Sequence, residues 1–199
     1  MSNIWGSRQN PDPEKLVIRT WINEGVANIQ IGYPGTYNFN NFEKNLEIGL
    51  PKKSINTISI NTVAGQIESN SFDVNTFIIN SVSSNCTFKN SNINTLKHYT
   101  VSGNLNFVGS LNHMEVNSTG GNVSCENYSN SATVSVNTVS GETNYTFNNG
   151  GFVASLNTVS GHFYSNVEYT TNNNTYTYAE PNHNIEVNST SGGLSVYKK

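Results

Sequence analysis

Charge is scarce in this chain. Of its 199 residues only 12% are charged, the formal net charge is −3, and the only arginines are Arg8 and Arg19. No basic stripe is available to follow a nucleic-acid backbone. A disordered polyelectrolyte is excluded as well, because it needs high net charge together with low hydrophobicity. Long apolar runs are missing: none approaches the ~18 residues that span a bilayer. The opening MSNIWGSRQNPDPEK lacks the apolar centre of a signal peptide, so no export signal is expected in this stretch. Aspartate and cysteine are rare, with two of each. What fills the space is 36 Asn, 24 Ser and 19 Thr, beside a hydrophobic fraction of only 35%.

Those residues repeat. NTVAGQI (61–67), NSVSSNC (80–86), YTVSGNL (99–105), NSTGGNV (117–123), NTVSGET (137–143), NTVSGHF (157–163) and NSTSGGL (188–194) align without gaps, spaced by 19, 19, 18, 20, 20 and 31 residues. One and three places before each segment lie pairs such as Ile60/Ile58, Ile79/Phe77, Val116/Met114, Val136/Val134, Leu156/Ala154 and Val187/Ile185, with Ser59, Glu115, Ser135, Ser155 and Glu186 between them. Alternation with β-branched enrichment predicts strands with one face buried. Apolar residues resume after each turn at Ile67, Cys86, Leu105, Val123 and Phe163, then at Phe88, Phe107, Cys125, Tyr145 and Val196. A unit of this length cannot bury its own apolar face, whereas stacking it on a copy can. The pattern predicts an all-β chain, a β-solenoid. Glycine in most turns supplies the corner; Ser84 replaces it once, where strain or a different corner is expected. The leading Asn61, Asn80, Asn117, Asn137, Asn157 and Asn188 are expected to form an amide ladder at ~4.8 Å spacing, interrupted by Tyr99. Thr62, Ser81, Thr100, Ser118, Thr138, Thr158 and Ser189 form a hydroxyl column beside it.

With its recurring NTVSG unit and alternating strands on either side, the chain resembles the bacterial adhesin-like family of β-strand repeat domains. The likeness covers roughly residues 46–199, including LPKK (50–53) and the closing SGG with its final strand. It implies a single-chain parallel β-helix, right-handed, with about seven coils of about 19–20 residues, in proteins of the cell envelope or surface. It carries no catalytic residues and no cofactor.

Residues 1–15 read as an N-terminal arm, and 16–53 as strands that cap the solenoid, from the weak alternation Leu16/Ile18, Ile29/Ile31, Tyr37/Phe39 and Leu46/Ile48/Leu50. The solenoid occupies 54–199, with an insertion around 164–184 that accounts for the spacing of 31. Solenoid ends expose strand edges that invite a second chain, so self-association through the ends is expected, with Lys198 and Lys199 blunting the C-terminal one. The insertion holds Tyr169, Tyr176, Tyr178 and His183, candidate surface contacts, since tyrosine gives large contact area at low entropic cost. Its other reading is a hairpin or lid over the last coils.

Cys86 and Cys125 are separated by an intervening coil, about 9.5 Å by stacking, beyond the ~7 Å reach of a disulfide. Both are expected to be reduced and buried. His98 stands in the apolar column and is expected to be neutral, satisfied by a backbone or hydroxyl partner. His113, His162 and His183 show no metal-ligand spacing, and no metal site is expected. Glu115 and Glu186 share an outward column several coils apart, and Lys97 is one coil from Glu115, in reach of an ion pair.

Three functional readings follow. The first is a non-catalytic binding or structural module, for which glycan, cell-wall polymer or another protein are the candidate partners. The second is a carbohydrate-active β-helix enzyme, which usually needs two carboxylates flanking one bond. The third is an ice-binding solenoid, which requires the hydroxyl column to face outward.

Overall fold

The computed structural model describes residues 17–23, 26–32, 47–49 and 55–199. The N-terminal arm, the Tyr37/Phe39 pair and the LPKK segment lie outside them. The chain divides into two units, residues 1–50 and 51–199. In the first, β1 (Val17–Asn23) and β2 (Val26–Gly32) form an antiparallel hairpin.

The second unit is all-β and solenoid-like. β3 (Ile55–Asn70) and β4 (Asp73–Tyr99) pair in parallel, with Asn61 opposite Asn80 and Ile67 opposite Cys86. β4 then pairs with β5 (Leu105–Asn117). From there each repeat breaks into two short strands. β5 pairs with β6 (Val123–Asn127) and with β7 (Ala132–Asn137), and β6 pairs with β8 (Thr143–Phe147), all in parallel. The predicted alternation holds: Phe77, Ile79, Leu96, Met114, Val116, Val134 and Val136 are buried, as are Phe88, Leu105, Phe107, Val123 and Cys125 on the strands after the turn. The corners close because the backbones nearly touch. At Gly121, φ is +128° and a Cβ would lie 2.2 Å from the Gly103 carbonyl oxygen. Ser84 is the exception: β4 runs through it as β3 runs through Gly65, but Gly65 has φ +143° whereas Ser84 does not adopt a positive φ.

The order of the last repeats in space differs from their order in the chain. β9 (Gly151–Asn157) does not pair with β7. The slot between them is filled by β13 (Pro181–Asn188), parallel to both. Likewise β14 (Leu194–Lys198) lies between β8 and β10 (Phe163–Ser165). The final repeat is thus wedged between the two repeats that precede it, and Lys198 and Lys199 do not sit on an end. The Asn148–Gly150 crossover carries the chain past the slot. Gly150 has φ +82°, and a Cβ there would strike the Asn182 side chain, whose Oδ1 accepts from Gly151 N at 3.2 Å. Wedging buries Ile185, Val187, Leu194 and Val196 completely, which is worth roughly 6–12 kcal/mol for four aliphatic side chains.

The insertion forms a hairpin of β11 (Thr170–Asn172) and β12 (Thr175–Tyr178), and β12 adds antiparallel to the free edge of β9.

Candidate functional site

The side chains that alternate with the core on the last part of β4 and on β5, β7, β13 and β9 share one outward face. Reading across the strands, one column is Thr95, His113, Thr133, Asn184 and Val153, and the next is Lys97, Glu115, Ser135, Glu186 and Ser155. A third is the amide ladder. Asn80 Nδ2 donates to Asn61 Oδ1 at 2.8 Å, and after the break at Tyr99 the chain resumes. Asn137 donates to Asn117 (2.9 Å), Asn188 to Asn137 (3.0 Å), Asn157 to Asn188 (2.8 Å) and Asn174 to Asn157 (3.4 Å). The ladder therefore passes through the wedged repeat and out onto the hairpin. A second amide ladder, which the repeat alignment did not single out, links Asn56, Asn75, Asn94 and Asn112 at 2.9–3.2 Å.

Tyr99 breaks the first ladder because it serves another purpose. Its hydroxyl donates to Glu115 Oε1 at 2.9 Å, Asn117 Nδ2 reaches the same oxygen at 3.2 Å, and Lys97 Nζ lies 3.1 Å from Glu115 Oε2. Partial burial pulls the Glu115 carboxyl upward, but the Lys97, Tyr99 and Asn117 donors outweigh it and hold it below its ordinary value. A shallow groove of about 450 Å³ opens here, lined by Lys97, Glu115, Ser135 and Asn137 among others. A second groove, of about 380 Å³, is lined by Asn112, Ser131, Asn182 and Asn184. His113 and Thr133 border both. The wedge also corrects the expected distance between carboxylates. Glu186 is only two strands from Glu115, with Ser135 between them, about 9.6 Å along the column.

The tyrosines of the insertion are mostly packing residues. The Tyr176 ring stacks on Phe163 with centroids 3.8 Å apart and planes within 7°. Tyr178 lies 5.9 Å from Phe152 and accepts from Lys198 Nζ at 3.2 Å. Tyr169 meets Phe163 edge-on at 5.1 Å and stays exposed. The hairpin is a cover for β9. His183 is wholly buried, so it is no surface contact.

His183 instead ends a buried polar chain. Its Nε2 is 3.0 Å from the Asn149 carbonyl, which can only accept, so Nε2 carries the proton and Nδ1 accepts from the Tyr145 hydroxyl at 2.9 Å. Asn127 Nδ2 donates to that hydroxyl and to the Leu111 carbonyl, both at 3.0 Å, and Asn127 Oδ1 accepts from Leu111 N. The fully buried members, Asn127, Tyr145 and His183, all have partners. The signal for His183 was available: it aligns with Ala132 and Phe152, both core positions.

His98 is different. It is wholly buried, and its Nε2 faces Cys86 Sγ at 3.7 Å, a thiol rather than the expected backbone or hydroxyl group. Its Nδ1 has no partner among the described residues. Burial lowers the ring to about 4 and pushes the Cys86 thiol up to about 12. Cys86 and Cys125 are both free and buried, as expected. The hydroxyl column is turned onto the backbone: Thr100 donates to the Ser102 carbonyl at 3.1 Å, Ser118 to Gly120 at 2.7 Å and Thr138 to Ser140 at 2.8 Å. That removes the array on which the ice-binding reading depended.

A family model described as Toastrack DUF4097 matches residues 14–129, more than half of the chain. Among solved structures, the chain is similar to the crystal structure of a candidate cell adhesion protein from Clostridium sporogenes. The identity is 14%, the match covers 93% of this chain and 77% of that one, and the TM-score is 0.42. At that score the likeness carries no argument about function. No curated protein matches the sequence.

Proposed function

The chain belongs to the Toastrack DUF4097 family, and from that premise we propose a non-catalytic, adhesin-like binding module: a right-handed parallel solenoid of about seven coils that holds a ligand on its ladder face. The observation that carries this reading is the continuity of that face. Amide and hydroxyl groups recur at every strand from Thr95 to Val153, and Asn137 and Asn157 each commit one Nδ2 hydrogen to the next ladder asparagine, as Asn188 does while also donating to Glu186 Oε1. Such a surface suits an extended partner rich in hydroxyls or amides, a glycan or cell-wall polymer at a cell envelope. Co-sedimentation with bacterial cell walls and with insoluble glycans tests it. Binding should be lost in Thr133→Lys, which blocks both grooves, and kept in Lys89→Ala, which lies elsewhere. No binding to any fraction would sink the proposal.

One observation favours a second reading, a carbohydrate-active enzyme: Glu115 and Glu186 stand on one outward column two strands apart, about 9.6 Å along the backbone, beside the ~6.5–9.5 Å between the carboxyl groups of inverting glycosidases. Against it, a general acid needs a raised carboxyl, and Glu115 is held low by its donors. Release of reducing ends from any polysaccharide, abolished by Glu186→Gln, would decide for the enzyme.

A further inference from the structure

The third residue of each repeat segment points into solvent. In spatial order these are Val63, Val82, Val101, Thr119, Val139, Thr190 and Val159, and the valines are 73, 50, 52, 50 and 85% exposed. The column is continuous: Val101 N donates to Val82 O, Thr119 N to Val101 O, Ser140 N to Thr119 O, Thr190 N to Val139 O and Val159 N to Thr190 O. Five exposed valines on one column, with Thr119 and Thr190 between them, make an apolar surface of the size at which such patches are often functional. We propose that this corner is a self-association surface, covered by the same corner of a second copy of the chain.

Three features of the corner select that occupant. None of the segments 61–65, 80–84, 99–103, 117–121, 137–141, 157–161 and 188–192 contains a charged residue, so two copies meet without repulsion and a charged polymer finds nothing to pair with. The hydroxyls beside the valines are already spent on backbone carbonyls, as at Thr100, Ser118 and Thr138, which leaves little for a sugar to bind. The exposed valine surface amounts to roughly 450 Å² per copy, so a reciprocal contact with its flanking small residues removes about 1,000 Å² in all, the lower limit for a specific but weak interface. A two-fold axis through Thr119, the middle of the seven, brings Val101 of each copy onto Val139 of the other and uses the whole stripe. Pairing two ladder faces in this way raises avidity for a repetitive ligand with no new contact to it.

Sedimentation equilibrium of the full chain, up to ~1 mM, tests this against the weak association such an area allows. The unaltered chain should form a dimer. Val101→Lys/Val139→Lys, which places like charges together, should weaken it at least tenfold, while Val101→Lys/Val139→Glu, which pairs opposite charges across the axis, should keep it. Thermal melts confirm that both exposed-site variants fold. A monomer at every concentration, a dimer indifferent to the Lys/Lys change, or loss in both doubles overturns the proposal.

Discussion

The two buried histidines should respond in opposite directions to the same substitution. His183→Leu keeps the volume but leaves the Tyr145 hydroxyl, wholly buried, with no acceptor for its proton. A buried donor left unsatisfied costs about 1–3 kcal/mol, and the Asn149 carbonyl, at an exposed residue, can turn to water. The expected loss is about 2 kcal/mol. His98→Leu removes a ring whose Nδ1 is already unpartnered and whose other nitrogen has only a thiol at 3.7 Å. It returns an apolar side chain to a column between Ile79 and Val116, so a gain of about 1 kcal/mol is expected. Urea unfolding at pH 7.5, with a slope of about 2 kcal/mol per molar, should show the midpoint falling by about 1 M for His183→Leu and rising by about 0.5 M for His98→Leu. Shifts of the same sign would refute the distinction between a satisfied and an orphaned buried ring.

The same rings set a pH dependence. Burial is the leading cause that lowers both, His98 to about 4 from an ordinary 6.5, His183 in the same direction. Between those values the unfolded chain binds protons that the folded chain refuses, so stability is full above about 6.5 and is lost as pH falls toward 4. His98 alone accounts for roughly 3 kcal/mol across that window, and His98→Leu should flatten the profile by that share.

Other outcomes are as specific. Gly121→Ala should cost about 3 kcal/mol or more by urea unfolding, because its Cβ would meet the Gly103 carbonyl and its φ is left-handed. Ala179→Gly should raise stability by about 0.5 kcal/mol, since Ala179 holds φ +52° in an exposed link, and a loss would mean its methyl group matters more than its backbone. Cys86 and Cys125 should resist a thiol reagent in the native state and release two equivalents on unfolding. Rapid native labelling would contradict their burial.

Much of this architecture could be read before any coordinates. Period-two alternation placed the strands, the recurring Gly placed the corners, and the 19-residue spacing predicted which residues face each other, down to the Lys97–Glu115 pair. The order of the repeats could not be read that way. Asn137 presents the same amide to Asn188 as it would to Asn157, so the repeated features that identify the strands are silent on which copy comes next. The information sits in the departures: Gly150 and Gly151 in the crossover, Asn182 against Gly151, His183 where other repeats carry Ala132 or Phe152. The insertion was ambiguous for a related reason. A tyrosine cluster in an insertion suggested a binding loop, yet Thr-Tyr-Thr-Tyr at 175–178 also has the alternation of a strand, and Tyr176 follows the apolar column of Ala154.

The wedged repeat bears on how the chain is assembled during synthesis. Residues 151–165 leave the ribosome before residues 181–198, so β9 and β10 are complete while the strands that will separate them from β7 and β8 do not yet exist. In that interval β9 faces the edge of β7, whose ladder asparagine and alternating core match its own, and the two can join in a register that is locally sound and globally wrong. Completing the fold then means prising that provisional joint apart to admit Ile185, Val187, Leu194 and Val196. In a protein built this way the step that admits residues 181–198 follows the making of the strands on both sides of the slot, and these strands act as the key that closes the stack from within.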